Sequence, residues 1–343
     1  MVRIITLDDV KNLIRKMTLE KFFSQLIERL ELTFSRWDEF EKIPRVASTV
    51  EKGILELMPF CGKDYYSVKY VNGHPHNPKD NKQAIVGIGI LADVATGYPL
   101  MISEMTLLTA LRTAATAALA SKYLAKLNSR TFAIIGTGAQ SEFQVIAHKI
   151  LFDIQTINYF DIDPNAMGKF AKNLLPYGFD LQQKENAESS VKNADIITTL
   201  TAARKQSKIL KEEILKEEWI KPGMSINVIG GDCPGKTELD PKILEQSKIV
   251  IEFLEQSKSK KEGEIQDYNS INIYAELWEL SQGKKLGRTS DDEIFVFDSV
   301  GFALEDYVIL RLVYSLAEDF HVGHMLDMVP ESRNPNDLFG LLS

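Results

Sequence analysis

The sequence predicts an α/β protein in which a Rossmann-type parallel sheet is joined to a second, α+β domain. Three observations predict it. From residue 131 to about 300, short apolar runs alternate with helical stretches, the rhythm of a parallel sheet with crossover helices. Inside that stretch one strand-like run ends in a glycine-rich turn that opens a helix. Ahead of it, residues 45–100 carry short runs separated by Gly, Pro and Asn, which read as a mostly antiparallel sheet.

The elements follow in chain order. Val10, Leu13, Ile14 and Met17, then Phe22, Phe23, Leu26, Ile27, Leu30 and Phe34, recur at helical spacing and predict one or two amphipathic helices over 8–40. Runs 54–58, 65–71 and 84–94 are the strands of the first sheet. Ser103 is placed to N-cap an Ala-, Leu- and Thr-rich helix over about 104–127, and Glu104 suits its positive end. Runs 132–136, 156–161, 195–200, 225–230 and 248–253 are parallel strands, with a weaker one near 181–185. Run 294–297 is a further strand, and a helix follows over about 301–319. The layout expected is a first domain over 1–116 that regains the last segment, 301–343, and a Rossmann domain over 117–300.

Composition narrows the class. The chain has 343 residues, about two domains at roughly 150 residues each. A net charge of −8 lacks the electrostatic footprint of a nucleic-acid binder. No apolar run approaches the ~18 residues of a membrane span. Cys61 and Cys233 stand far apart, so neither a disulfide framework nor a CxxC pair follows. The N-terminus, with Asp8 and Asp9 close behind Met1, is neither a signal nor a transit peptide. A cytoplasmic protein with a small-molecule partner, and neither nucleic acid nor membrane, is the expectation.

In Gly136-Thr-Gly138-Ala139-Gln140-Ser141, two glycines allow a tight turn and close backbone approach to a pyrophosphate, and the helix after it offers free N–H groups. Ser141 replaces the third glycine of the usual fingerprint. The next strand ends at Asp161, 25 residues after Gly136, where a carboxylate accepts from a ribose 2′-hydroxyl and repels a 2′-phosphate. This favours NAD over NADP; the competing reading is a structural turn with a solvent-exposed Asp.

Arg45, Lys69 and Arg112 are cations in segments that otherwise look packed, so each needs an anion: a ligand carboxylate or phosphate, or a structural salt bridge. Asp232 follows a strand and the turn Ile229-Gly230-Gly231, at the sheet edge where ligands bind. It reads equally as a proton acceptor for an amine and as a helix N-cap. Ser299, between another strand and helix, reads as a helix cap near a nicotinamide. His74 and His76 lack further ligands at metal spacing, and no metal site is expected. His321 and His324 read as surface residues, Cys233 has no partnered base, and 258–261 reads as a solvated loop. Glu262 and Glu264 read as site carboxylates or as loop.

The strings RVAS with ELMP, KYVNGHP, LADVATGYP, TALRTAATA, GTGAQSEFQ, GGDCPGKTEL, EGEIQ and FDSVGFALEDY go further. From Arg45 nearly to the C-terminus the chain resembles the ornithine cyclodeaminase/mu-crystallin family. The resemblance implies a substrate-binding and dimerisation domain beside the Rossmann domain, a homodimer, and conversion of L-ornithine to L-proline and ammonia with NAD as catalytic cofactor. It implies that Arg45, Lys69 and Arg112 hold the substrate carboxylate, that Glu56, Met58 and Val300 line the substrate pocket, and that Asp232 is the catalytic acid/base and touches substrate. Gly136, Gly138, Ala139, Gln140, Asp161, Thr201, Ile229, Gly230, Gly231, Lys236 and Ser299 match cofactor contacts, with Arg112 shared between cofactor and substrate. Ser141 is usual for the family. Ala84 is a departure: it stands where relatives carry a Thr that touches the cofactor, which removes one hydrogen bond. An NAD-dependent amino-acid or imine oxidoreductase, a cyclodeaminase acting on lysine, and a non-catalytic ligand binder use the same frame.

Overall fold

A computed structural model of the chain describes residues 1–202, 210–231, 235–260, 262–267, 272–330 and 334–342. Strand β1 (Val2–Ile5) leads into two helices, α1 (Leu7–Met17) and α2 (Leu19–Ser35). Thr6 and Asp9 cap α1 reciprocally. The chain breaks between the helices at Thr18, which has φ 73°. Val10, Leu13 and Met17, then Phe22, Phe23, Leu26, Ile27, Leu30 and Phe34, are the buried stripes.

An antiparallel meander follows: β2 (Val46–Val50), β3 (Gly53–Cys61), β4 (Tyr65–Gly73), β5 (Ile85–Asp93) and β6 (Pro99–Glu104). Strand β1 adds to β6 in parallel. Helix α3 (Thr106–Leu124) is buried on nearly every side, as an Ala-rich helix between two layers must be. Ser103 does not cap it. That residue lies within β6, and Glu104 reaches past it to accept the Leu107 N–H at 2.8 Å, so the helix starts two residues later than expected.

The second half is an α/β unit: β7 (Thr131–Ile135), α4 (Ser141–Leu151), β8 (Thr156–Phe160), α5 (Pro164–Leu174), β9 (Asp180–Gln183), α6 (Ala187–Val191), β10 (Ile196–Thr199), β11 (Leu210–Leu215), β12 (Ser225–Val228), β13 (Lys236–Leu239), α7 (Pro241–Glu245), β14 (Lys248–Ile251), α8 (Leu254–Lys260), β15 (Ile273–Glu276), α9 (Leu277–Ser281) and β16 (Phe295–Asp298). Helix α10 (Ala303–Asp319) and strand β17 (His324–Leu326) close the chain. The large sheet is parallel in the order β15-β14-β16-β12-β10-β7-β8-β9, and β11 pairs with β13 beside it. Every residue of β10, β12 and β16 is buried, because helices cover both faces of a parallel sheet. The order reverses between β7 and β10, which makes that gap the ligand crevice of such a sheet.

Helix α10 returns to pack on α2, α3 and strands β3 to β5 of the antiparallel sheet. Strand β17 pairs with β1, so that sheet runs β17-β1-β6-β5-β4-β3-β2. Strands β1, β2, β6, β11, β13, β15 and β17 are not among the runs named from the sequence; they are short, and all but β6 lie at or next to a sheet edge or in the two-stranded sheet. No helix among the described residues is long and apolar enough to cross a membrane.

Candidate active site

The glycine turn follows β7, beside the crevice. Gly136 has φ 97°, and a Cβ there would lie 2.4 Å from the Leu200 carbonyl oxygen, so the approach of the loop after β10 requires glycine. A Cβ on Gly138 would meet nothing within 4 Å. Ser141 is buried and donates its hydroxyl to the Gly138 carbonyl at 2.8 Å, which makes serine a working third residue. Asp161 is buried rather than exposed. One oxygen accepts the Thr137 N–H at 2.7 Å and the other the Asp163 N–H at 2.9 Å, so the acid ties the loop after β8 to the glycine turn. Lys169, which the sequence did not single out, donates to the Gly138 carbonyl at 2.8 Å and pairs with Glu142 at 2.9 Å. A cavity of about 590 Å³ opens there among Thr137, Gly138, Ala139, Glu142, Lys169 and Tyr177.

The opposite wall is organised by Glu238. Its buried carboxylate accepts from the Thr199 hydroxyl at 2.6 Å, the Thr201 N–H at 2.9 Å, the Thr201 hydroxyl and the Gly230 N–H at 3.1 Å. A Cβ on Gly230 would fall on that carboxylate. Lys236 donates to the Thr201 carbonyl at 2.6 Å. Glu264 lies beneath, accepting the Glu238 and Leu239 N–H groups, and burial beside Asp298 pushes its pKa well above the usual carboxylate range. Ile229 is buried at the turn. Asp232 and Cys233, immediately after this turn, lie outside the described residues, as does Lys261. Glu262 lies in coil and Glu264 opens a short 3-10 turn, and both are buried, Glu262 at 3.6 Å from Arg45.

Ser299 does not cap α10. The helix begins at Ala303, Glu305 accepts the Phe302 N–H at 3.1 Å, and the Ser299 hydroxyl donates to Glu252. Glu252 also accepts the Val300 and Gly301 N–H groups at 3.2 and 3.3 Å, so one buried acid grips the whole turn after β16. Burial raises its pKa.

The three cations come from the antiparallel sheet and α3: Arg45 and Arg112 lie against this turn, and Lys69 against the start of α10. Arg45, just before β2, donates to the carbonyls of Val300 and Gly301 and lies 3.3 Å from Glu56 and 3.6 Å from Glu262. Lys69, central in β4, donates to Asp306 at 2.8 Å. Arg112, on α3, donates to Glu305 at 2.6 Å and to the same Asp306 oxygen at 3.1 Å. Each buried cation therefore has protein carboxylates as partners. Burial, with Arg112 adding to it, pushes Lys69 down to about 8, and burial pushes Glu305 up to about 7. Met58 pairs in register with Lys69, Glu56 sits two residues before it on β3, and Val300 is buried above Arg45. Ala84 sits half-buried just before β5. Glu238, Glu252, Glu305 and Asp306 were missed; Glu252, Glu305 and Asp306 stand as acids inside apolar runs, whereas Glu238 lies in a polar stretch that gives no signal.

Among the described residues no group of three or more His, Cys, Asp or Glu is arranged to hold a metal. His74 makes its contact with Asn72, at 3.0 Å, and His321 and His324 are exposed.

A sequence model of the ornithine cyclodeaminase/mu-crystallin family matches residues 8–320. The chain is 46% identical to ornithine cyclodeaminase of Agrobacterium fabrum over 99% of its own length and 94% of that enzyme's. Among solved structures it superposes on a lysine cyclodeaminase studied for recognition of L-lysine, L-ornithine and L-2,4-diaminobutyric acid, with TM-score 0.91, 27% identity and 99% of each chain covered. It also superposes on an archaeal alanine dehydrogenase dimer with bound NAD, with TM-score 0.86, 34% identity, and 96% of this chain and 99% of that one covered.

Proposed function

The chain belongs to the ornithine cyclodeaminase/mu-crystallin family, and on that premise we propose that it is an ornithine cyclodeaminase, a lyase that forms L-proline and ammonia from L-ornithine. The observation that carries the reading is that Arg45 and Arg112 lie against the Val300–Gly301 turn while Lys69 shares Asp306 with Arg112 at the start of α10, on the same sheet edge as the two glycine turns. Cations gathered there suit one small carboxylate, and relatives of this length and identity carry that activity by name.

Asp306 takes one of the three Lys69 donors, and Arg112 Nη2 is engaged by neither acid, so both cations retain hydrogen-bonding capacity for a substrate carboxylate. Glu56, Met58 and Val300 line the chain of the substrate. Asp232, following Gly231, takes a proton from the δ-ammonium so that the amine becomes a nucleophile, and later protonates the departing amine. Clamping the carboxylate leaves only the amine end free to move, which favours ring closure.

The crevice fits a dinucleotide. The Gly136 turn is held tight against Leu200, the space beside Gly138 is open, and the Gln140 side chain does not cap the N–H groups that begin α4. Gly136, Gly138, Ala139 and Gln140 hold the pyrophosphate, and Asp161, at the end of the next strand, accepts from the ribose. Thr201, Ile229, Gly230, Gly231, Lys236, Ser299 and Arg112 hold the nicotinamide half. NAD bound there supplies the hydride acceptor and donor for Cα.

The segments 1–116 and 301–343 serve as the substrate-binding and dimerisation domain, and 117–300 as the NAD-binding domain. The outer face of the antiparallel sheet exposes Leu57, Tyr70, Val86, Ile88 and Ile90, an apolar patch suited to a second copy in a homodimer. The widely separated cysteines suit a reducing, cytoplasmic setting, and the reaction suits proline biosynthesis. Incubation with ornithine, lysine and alanine in turn, with assays for ammonia, proline and NADH, tests the reading. Proline from ornithine supports it; NADH from alanine, with no proline from ornithine, overturns it.

A further inference from the structure

The pairing of Lys69 and Arg112 through one atom is unlike an ordinary salt bridge. Asp306 sits in the first turn of α10 and is 1% exposed. Its Oδ1 accepts from Lys69 Nζ at 2.8 Å and from Arg112 Nε at 3.1 Å. Its Oδ2 is buried and finds no hydrogen-bond partner among the described residues. A buried oxygen left without a donor is costly, so the geometry is held by something other than the side chain's own satisfaction. Neighbouring Glu305 holds Arg112 alone, and its other oxygen caps the helix.

We propose that Asp306 is a positioning residue for the substrate carboxylate: one of its oxygens fixes Lys69 against Arg112 so that the two donors face a single carboxylate together. The inference rests on the reading that these cations bind an amino acid. Asp306 never touches the substrate; it acts through the two cations.

The groups facing Lys69 make the bridge necessary. Arg112 approaches from α3 and Arg45 from the segment before β2, both positive, while Asp306 supplies the negative charge from α10. On the flanking strands, Met58 of β3 and Gly89 of β5 stand in register with Lys69 and carry no charge. Glu56 and Glu262 face Arg45, and Glu305 faces Arg112. Without Asp306 a fully buried ammonium would sit between two guanidinium groups, and it would release its proton to escape burial and repulsion. A neutral lysine no longer draws a carboxylate.

The test uses NAD-loaded enzyme labelled with 13C,15N-lysine, with the Lys69 signal identified by its loss in Lys69→Arg. In Asp306→Asn the Lys69 titration should move acidward by about one pH unit or more, whereas Glu305→Gln should move it far less. The alkaline limb of kcat/KM for ornithine should follow the Asp306→Asn shift, with KM raised roughly tenfold and kcat changed less. Adding Lys69→Arg to Asp306→Asn should abolish that limb, because a guanidinium does not deprotonate. Asp306→Glu keeps the charge and displaces it; it should titrate near the wild type and still raise KM, and it serves if the Asn variant folds poorly. An unmoved Lys69 titration in Asp306→Asn, or an unchanged KM in Asp306→Glu, overturns the inference. Failure of the wild type to consume ornithine would instead overturn the substrate reading, and the lysine titration would still decide the role of Asp306.

Discussion

Arg45 donates from the threshold of β2 to the carbonyl of Gly301, which follows β16 in the other sheet. Gln256 donates to the same carbonyl at 3.0 Å, and its side-chain oxygen accepts the Arg45 N–H at 3.3 Å. The two sheets are thus fastened at the edge where the candidate site lies, by a residue that we also propose as a ligand of the substrate carboxylate. On that proposal, binding and stability share one side chain.

Arg45→Ala should therefore destabilise the fold as well as weaken ornithine binding. It strips Glu56 and Glu262 of their cation, and unpairing a buried ion typically costs about 3–5 kcal/mol. Urea unfolding measures this. A change below about 1 kcal/mol would show that other contacts carry the junction.

Asp232→Asn and Arg112→Ala should fail differently. Asparagine cannot accept the δ-ammonium proton, so kcat should fall ~10²–10⁴-fold while KM holds. Arg112→Ala removes a carboxylate donor, so KM should rise steeply. Near wild-type turnover in the first variant would make Asp232 a helix cap, and an unchanged KM in the second would remove Arg112 from the carboxylate site.

What the sequence revealed and what it hid follow from burial and range. Strands β10, β12 and β16 are covered on both faces, so they read as uninterrupted apolar runs. Lys69 and Arg112 stood out because charge is rare in packed segments. Their acid could not be paired with them, because Asp306 lies 237 residues from Lys69 and looks locally like an ordinary first-turn acid of a helix. Strand β13, Lys236–Leu239, reads as a polar loop because Glu238 is buried by hydrogen bonds rather than by apolar neighbours. Asp161 was legible as an acid at a strand end. Its grip on Thr137 was not, since no spacing rule reports which backbone N–H turns toward it.

NAD should bind more tightly than NADP, because in the proposed site the Asp161 carboxylate accepts from the ribose hydroxyls and repels a 2′-phosphate. Asp161→Ser should narrow the gap. It should also weaken NAD more than loss of one ribose contact predicts, since the same acid supports the Thr137 N–H in the glycine turn. Calorimetric titration with both cofactors measures the preference, and equal affinities in the wild type would refute it.

Acid should destabilise the fold partly through His148, another residue the sequence left unmarked. It is fully buried between the Gln144 carbonyl and Ser121 with Asn227, and burial pushes its pKa down to about 4. The unfolded chain, near the ordinary ~6.5, binds the proton first. The contribution is therefore complete above about 6.5 and is lost as pH falls toward 4, amounting to roughly 3 kcal/mol. Glu305 has the opposite sign: raised to about 7, it favours the fold as pH falls. Comparing wild type with His148→Gln isolates the histidine. The stability difference between pH 7 and pH 4.5 should shrink by about 2–3 kcal/mol in the variant, and equal differences would assign the acid sensitivity elsewhere.

The decisive prediction separates a cyclodeaminase from a dehydrogenase built on the same frame. A dehydrogenase yields one NADH for each substrate consumed. A cyclodeaminase returns the hydride to the carbon it came from, so ornithine should give equal amounts of proline and ammonia, with no net absorbance at 340 nm and NAD needed only in catalytic quantity. The site supports this through geometry. In the proposed arrangement the three cations fix the carboxylate and hence Cα, while the δ-amine is carried on a flexible chain that reaches the same carbon. Intramolecular attack of this kind reaches effective molarities of ~10⁵ M or more, so the amine captures the Cα imine before water hydrolyses it. Ornithine deuterated at Cα should therefore keep its deuterium in proline. NADH accumulating with an open-chain 2-oxo acid, or deuterium lost to solvent, would establish the dehydrogenase instead.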